Sequence, residues 1–515
     1  ESISNGVTAF RRPQARNASR TLYVMAVIAI TLFVTTSWLA VKMDARPSES
    51  VSVLSQIARG SFPAGSPGSI TYYLVQAFTL AILVLAANTS YQGFPRLAAL
   101  LARDGFLPRQ FVNLGDRLAY SNGILVLAGV ATGLIIAFRA NVNSLIHLYV
   151  IGVFTAFTLA QAGMVRHWFR VRTSGWRWRA LLNAVGSATT FVVTAVVIAT
   201  KFLDGAWMVI VAMPVLILSF YGIRRHYRAV ARRLRAKARA VLAERTVENN
   251  VVLYVERLDP ATREALWYAR TIAGTSLRAI HVPFPGSDPG IGPRFFHWTD
   301  GEPRLEVLQG DDDPVEALLE EIWAIPHAES RYVTVVIPEL FRKPSLIDAV
   351  RHRSTFSLKL GLLREPGVVV TDVPKLGGDD WIPSRAECVI PISGVNAASL
   401  RALLYARSLG IRETSAVFFA DGDEAAAKLE DDWRRFPTGL PLEIVDAPYR
   451  DVGPPLLGRL RQITDDPDSV AVVVMPELVV RGTDRLLHNQ RALYLKRLLL
   501  FEPRVVLASV PYSLG

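Results

Sequence analysis

The chain of 515 residues carries 57 Lys and Arg against 45 Asp and Glu, a formal net charge of +12, and 51% of its residues are hydrophobic. The surplus is localised: residues 1–245 hold 27 basic and 7 acidic residues and the remainder 30 and 38, so a nucleic-acid partner loses its support and anionic lipid beside the apolar half replaces it. Cys388 is the only cysteine, which excludes a disulfide framework and a cysteine metal site.

The chain begins at Glu1 without an initiator Met, on a polar turn-like run that includes Ser4 and Asn5. Six apolar stretches follow, over residues 21–41, 70–88, 119–138, 145–165, 180–200 and 204–222. Each is about long enough to cross a hydrocarbon core of roughly 30 Å as a helix. Alternate flanks differ sharply in charge. One side receives Arg11, Arg12, Arg16, Arg20, then Arg96, Arg103, Arg109, Arg117, then the five arginines from Arg166 to Arg179; the other receives only Lys42, Arg46, Arg59, Arg139 and Lys201. The positive-inside rule places the richer side, and with it everything after residue 222, in the cytoplasm.

The outside segment 42–69 holds a short amphipathic helix with Val51, Leu54, Ile57 and Ala58 on one face and Gly60 at its end, read as a lid or a passive surface helix. Within the spans, Gln76 and Thr79 share a helix face, as do Thr155 and Thr158. Such oxygens suit alkali ions and line pathways; hydrogen bonding between or within helices is the competing explanation. After the second span, Pro95 suits the first turn of a separate short helix and Gly105 its C-terminal end, with Leu97, Leu100 and Leu101 as an apolar stripe.

From Arg224 to Arg239 eight basic residues alternate with Val, Leu and Ala, a juxtamembrane hinge (223–245) suited to anionic headgroups. Beyond it the period changes to short β-branched runs, residues 251–255, 333–337 and 368–370, separated by helical patterns, which predicts parallel α/β structure. The pattern recurs. Ala265 to Arg270 matches Ala402 to Arg407; the Val-Ile-Pro-Glu-Leu run ending at Leu340 matches Val-Met-Pro-Glu-Leu ending at Leu478; Glu365-Pro366 matches Glu502-Pro503. A constant separation of about 137 residues indicates duplication. The expected domains are 1–222, 223–245, 246–376 and 377–515.

Resemblance adds what periodicity cannot. The run from Ala87 to Phe111, with Phe94, Pro95, Arg96, Arg103, Asp104 and Gly105, resembles the cytoplasmic loop after the eighth helix of amino acid–polyamine–organocation (APC) permeases, in wording nearest the KimA-type potassium importer branch. Gly93 departs from it where an acidic residue is expected. This resemblance implies helices seven to twelve of a twelve-helix LeuT-type fold, with the first inverted repeat encoded before Glu1 and a substrate site that the present residues only graze. The tail resembles universal-stress-protein-like domains, but Pro476 to Thr483 carries one glycine and Pro338 to Ser345 none, so a backbone phosphate cradle is not expected. Arg342 and Lys343, and Arg481, Arg485 and His488, could meet phosphate through side chains, with solvated surface as the plain alternative. No tightly bound cofactor, metal cluster or catalytic triad is expected.

The function expected is secondary transport, proton-coupled potassium uptake, with an amino acid permease and a membrane-anchored sensor as alternatives. The KimA resemblance implies a homodimer and cyclic di-AMP as an effector.

Overall fold

A charge-free apolar run folds as a helix where water is scarce, because a helix satisfies its backbone N–H and C=O groups within the segment. The computed structural model describes residues 1–515 apart from 1–2, 4–6, 8–9, 47, 49–50, 64–67, 115–118, 203–204, 206, 243–246, 275, 284–286, 309–313, 326–330, 342–357, 360, 364, 366, 377–381, 421, 437, 448–450, 480–489 and 514–515. Two compact units divide it, Glu1–Arg224 and Arg225–Gly515.

In the first unit the helices are α1 (Gln14–Lys42), α2 (Val53–Ser61), α3 (Ser69–Arg103), α4 (Ser121–Ala137), α5 (Val142–Val171) and α6 (Trp176–Lys201), followed by α7 (Trp207–Leu242). Among the described residues α1, α3, α5, α6 and α7 contain the five stretches long and apolar enough to cross a membrane. Their apolar side chains are widely exposed, Tyr23, Phe33, Leu83 and Leu159 among them, as suits segments solvated by hydrocarbon. The expected third span is shorter: α4 has 17 residues, and beyond its end Arg139 and Ala140 take positive φ of 50° and 56°.

Two local expectations change. Pro95 does not begin a new helix; it lies inside α3, which runs unbroken to Arg103. A proline there leaves one carbonyl of the preceding turn without its helical donor, and the buried ring instead packs on Gly123 of α4, where an added Cβ would stand 2.8 Å from the Pro95 Cβ. Helix α2 begins after Ser52, so Val51, expected on its apolar face, precedes it; the Ser52 side chain accepts from the Ser55 N–H at 3.2 Å, and the helix buries Ile57 and Ala58.

The second unit is a ten-stranded sheet. Its strands are β1 (Glu248–Tyr254), β2 (Leu277–His281), β3 (Leu305–Val307), β4 (Arg331–Phe341), β5 (Val368–Leu376), β6 (Arg385–Ile392), β7 (Glu413–Ala420), β8 (Leu442–Asp446), β9 (Ser469–Val479) and β10 (Val505–Ser513). They lie in the order β3-β2-β1-β4-β5-β10-β9-β6-β7-β8. Each half is parallel, in the same internal order, and the halves join where β5 pairs antiparallel with β10. The register pairs Thr371 with Ala508, which are also equivalent under the repeat of 137 residues, and places Val370 opposite Ser509 and Asp372 opposite Leu507. A local two-fold axis therefore passes through the Thr371–Ala508 pair.

The intervening helices are α8 (Pro260–Ile272), α9 (Ile291–Trp298), α10 (Pro314–Ala324), α11 (Ala397–Ser408), α12 (Asp423–Arg435), α13 (Gly453–Thr464) and α14 (Gln490–Leu499). Equivalent caps start α8 and α11: Asp259 accepts from the Thr262 N–H at 2.8 Å, and Asn396 from the N–H groups of Ala398 and Ser399. Strand residues alternate between faces. Val369, Val373, Val506 and Ala508 join a core shared by both halves with α8 and α11, whereas Val368 and Val370 pack with Leu318 and Ile322 of α10, and Val505 and Leu507 with Leu456 and Leu460 of α13. One sheet face is thus a continuous core and the other carries two separate ones.

Candidate functional site

Ser4 and Asn5 lie outside the described residues. Gln76 does not stand alone in its span. Its Nε2 donates to Ser55 Oγ of α2 at 2.6 Å, and Ser55 Oγ is 3.2 Å from the Tyr72 hydroxyl. Next to it in α2, Gln56 exchanges two hydrogen bonds with the backbone of Arg46, at 3.0 and 2.7 Å. These contacts fasten α2 to α3 and to the start of the connection that leaves α1. Thr79 donates to the Val75 carbonyl of its own helix at 2.7 Å.

Thr155 is half-buried on α5, one turn before Thr158. Thr158 Oγ1 lies 2.7 Å from the Phe154 carbonyl and 2.9 Å from Thr190 Oγ1 of α6; Ser187 Oγ donates to the Thr158 carbonyl at 3.1 Å. Gly186 completes this seam, because a Cβ there would stand 2.3 Å from the Gln161 side-chain oxygen. The partners Ser55, Ser187 and Thr190 were missed from the sequence, although Gly186, Ser187, Thr190 and Thr194 recur at helical spacing and mark one small polar face. What the arrangement does chemically is hold helices together with hydroxyl and amide groups.

The loop motif forms a bracket. Phe94 and Arg96 are exposed and Pro95 is buried against α4. An added Cβ at Gly93 would meet nothing within 4 Å. Arg103 Nη2 donates to the Tyr120 hydroxyl at 3.2 Å, so the end of α3 is tied to the start of α4. Asp104 caps α3, Gly105 takes φ 78°, and the Phe106 N–H closes onto the Leu101 carbonyl at 2.8 Å. A left-handed residue after a helix is what glycine supplies at least cost. The turn aims Phe106 at α7, where its ring meets Tyr221 edge-on with centroids 5.7 Å apart and the Arg224 guanidinium lies 4.2 Å from its centroid. One motif therefore links α3, α4 and the end of the last span.

In the tail, Arg342, Lys343, Arg481, Arg485 and His488 all lie outside the described residues. The repeated Pro-Glu-Leu runs do carry a shared feature. Glu339 of β4 bonds Lys359, which also meets Asp372 of β5 at 2.7 Å; Glu477 of β9 meets Lys496 of α14 at 2.6 Å. Burial alone would lower the Lys359 ammonium, yet Asp372 and Glu339 hold it above its ordinary value.

On the shared face Glu264 and Lys375 form a buried pair at 3.2 Å, and desolvation raises the Glu264 carboxyl despite the lysine. On the same face, toward the other end of β4, Tyr332 and Tyr405 meet edge-on at 5.2 Å, with the Tyr405 hydroxyl 3.0 Å from Thr334 Oγ1 and the Tyr332 hydroxyl donating to the Arg401 carbonyl at 3.1 Å. Burial pushes the Cys388 thiol up to about 12. Among the described residues no group of three or more His, Cys, Asp or Glu side chains could hold a metal ion.

Comparison with known proteins agrees with this division. Residues 1–220 match the amino acid permease family, and residues 247–375 and 384–512 each match the KimA potassium transporter C-terminal domain. The potassium transporter KimA of Bacillus subtilis (strain 168) is 33% identical over 378 residues, covering 73% of this chain and 61% of that relative. A crystal structure of a universal stress protein from Pseudomonas aeruginosa UCBPP-PA14 is similar over 53% of this chain and 95% of its own, with 12% identity and a TM-score of 0.33. With a permease-type membrane unit followed by two copies of the KimA C-terminal domain, the chain belongs to the KimA family of APC-type membrane transporters, not to an enzyme family.

Proposed function

We propose that the protein imports potassium, coupled to protons, and that its tail regulates the flux. The observation that carries this reading is the joint match, in one chain, of a permease unit and a doubled KimA C-terminal domain, supported by 33% identity to a protein described as a potassium transporter. The span polar groups fit a weakly hydrated alkali ion, for which neutral oxygens are the preferred ligands. Ser4, Asn5, Gln76, Thr79, Thr155 and Thr158 are the residues proposed to touch the pathway. Uptake of labelled rubidium and of labelled amino acids into vesicles holding the full-length protein, with and without a proton gradient, tests it. Saturable amino acid uptake without rubidium uptake overturns the assignment and favours the second reading, an amino acid permease, which the match of residues 1–220 supports.

For regulation, the effector we favour is cyclic di-AMP, a two-fold symmetric dinucleotide, and the support is the pseudo-two-fold tail sheet, which offers paired equivalent positions to a symmetric ligand. A homodimer then uses surfaces other than the β5–β10 junction, which one chain completes by itself. Calorimetry on the full chain should detect cyclic di-AMP well before ATP; equal heats from both would remove the effector assignment. The basic run of α7 is proposed to lie along anionic headgroups.

A further inference from the structure

The turn between α5 and α6 gathers positive charge that no carboxylate of its surroundings in sequence can offset. Arg166, Arg170, Arg172, Arg177 and Arg179 are all exposed, and from Arg117 to Leu203 the chain contains no Asp or Glu. The guanidinium groups are nevertheless ordered by aromatic rings. Arg172 and Arg177 lie 5.9 and 5.7 Å from the centroid of Trp176, and Arg179 lies 4.9 Å from that of Trp168. Phe169 meets Trp176 at 5.2 Å, and Arg172, at φ 48°, donates from Nε to the Phe169 carbonyl at 3.1 Å. Further along the same two helices the Thr158–Thr190 and Gln161–Gly186 contacts lock α5 against α6, so the turn is presented by a rigid hairpin.

Two cations converging on one indole repel each other, and an anion between them relieves that cost. Both helices are membrane spans, so the turn that joins them falls at headgroup depth, where tryptophan prefers to sit. Guanidinium groups bind phosphate oxygens in a fork that ammonium groups cannot copy. We propose that this turn is a docking site for an anionic phospholipid, with Arg172, Arg177 and Arg179 holding the headgroup phosphate and Trp168 and Trp176 bracing the lipid at the interface. The site is separate in sequence from the basic run of α7.

Native mass spectrometry of the full chain, titrated with phosphatidylglycerol or phosphatidylcholine, tests this. The wild-type protein should retain phosphatidylglycerol in preference to phosphatidylcholine. The triple change R172Q/R177Q/R179Q should weaken that retention by on the order of tenfold or more, whereas R232Q/R233Q/R235Q in α7 should leave one tightly held phosphatidylglycerol. The charge-keeping R172K/R177K/R179K should recover part of the affinity. Equal retention of the two lipids, undiminished binding in the glutamine variant, or equal loss in the glutamine and lysine variants would overturn the proposal. Displacement of the lipid by millimolar inorganic phosphate would also overturn it, by making the turn a free-anion site.

Discussion

The two α/β halves of the tail descend from one pattern, yet they spend their charges differently. Near the ends of β4 and β9 the ion pair is kept, Glu339 with Lys359 and Glu477 with Lys496. Farther out it is rewired. In the first half Arg278 on β2 joins Glu306 on β3 to Glu321 on α10; in the second the helix carries the cation, Arg459, which joins Glu443 on β8 to Glu387 on β6. Glu306 and Glu443 are equivalent under the repeat, while Glu321 corresponds to Arg459, Arg278 to Ser415 and Asn250 to Glu387. Near the axis the halves diverge completely, since Glu264 and Lys375 correspond to Arg401 and Tyr512. Alternation thus preserves which positions face each other, and any neutralising combination satisfies them. The pair at the ends of β4 and β9 keeps its chemistry, whereas the more deeply buried Glu264–Lys375 pair has no counterpart in the second half.

The comparison breaks most strongly at the buried pair. Lys375→Met strands Glu264, 4% exposed at its side chain, and should cost about 3–5 kcal/mol in the first half. Arg401→Met, which strands no carboxylate in the ion pairs described, should cost less. Cys388, fully buried and the only thiol, supplies the readout in the intact chain: maleimide labelling should accelerate far more in K375M than in R401M. Equal acceleration would mean that Glu264 is not the source of the cost. The double change E264M/K375M should restore protection.

Lys359 and Lys496 sharpen the contrast next. Lys359 faces two carboxylates and Lys496 one, so Lys359→Met should destabilise more, by about 3 kcal/mol against roughly 1–2. The pH sign follows from the raised Lys359. Its contribution is complete below the ordinary lysine value of 10.5 and is lost as the pH rises through the higher folded value, so the wild-type tail should lose stability above about pH 10.5. Denaturant midpoints that show the same alkaline slope in K359M would contradict this.

The acid side belongs to the outer triad. Arg278 holds the Glu306 carboxyl below 4.5, so its contribution is present above that value and lost as the pH falls through the folded value. Glu306→Gln should remove part of the acid slope below pH 4.5. Because these groups are partly exposed, the effect is small, about 1 kcal/mol or less. The smallest effect of all should come from rebuilding the second wiring in the first half. N250E/R278S/E321R should lie within about 1 kcal/mol of wild type, whereas E321R alone sets a second guanidinium against Arg278 and should be worse. A triple variant no better than E321R would show that the two halves are not interchangeable.

Much of this was legible in sequence because it depends on local period and composition. Apolar length announced the spans, and the constant offset between repeated Pro-Glu-Leu and Glu-Pro runs announced two halves. Pro95 misled for a physical reason: proline usually opens a helix, but here its missing donor is tolerated within α3 and its ring fills the space that Gly123 leaves. Gln76 and Thr158 were recognisable as polar residues in apolar helices, while Ser55 and Thr190, which meet them, lie 21 and 32 residues away.

By itself the sequence determined that the first half is rich in apolar spans with one positive flank, and that the tail is duplicated α/β structure, since hydropathy, charge and period are properties of neighbours along the chain. Tertiary structure alone decided that the duplicated halves join antiparallel through β5 and β10 on an axis at Thr371 and Ala508. It also decided that Phe106 is delivered to Tyr221 and Arg224, and that the arginines of the α5–α6 turn gather on Trp168 and Trp176. Those contacts join residues through backbone turns and strand register, whose partners no local pattern specifies.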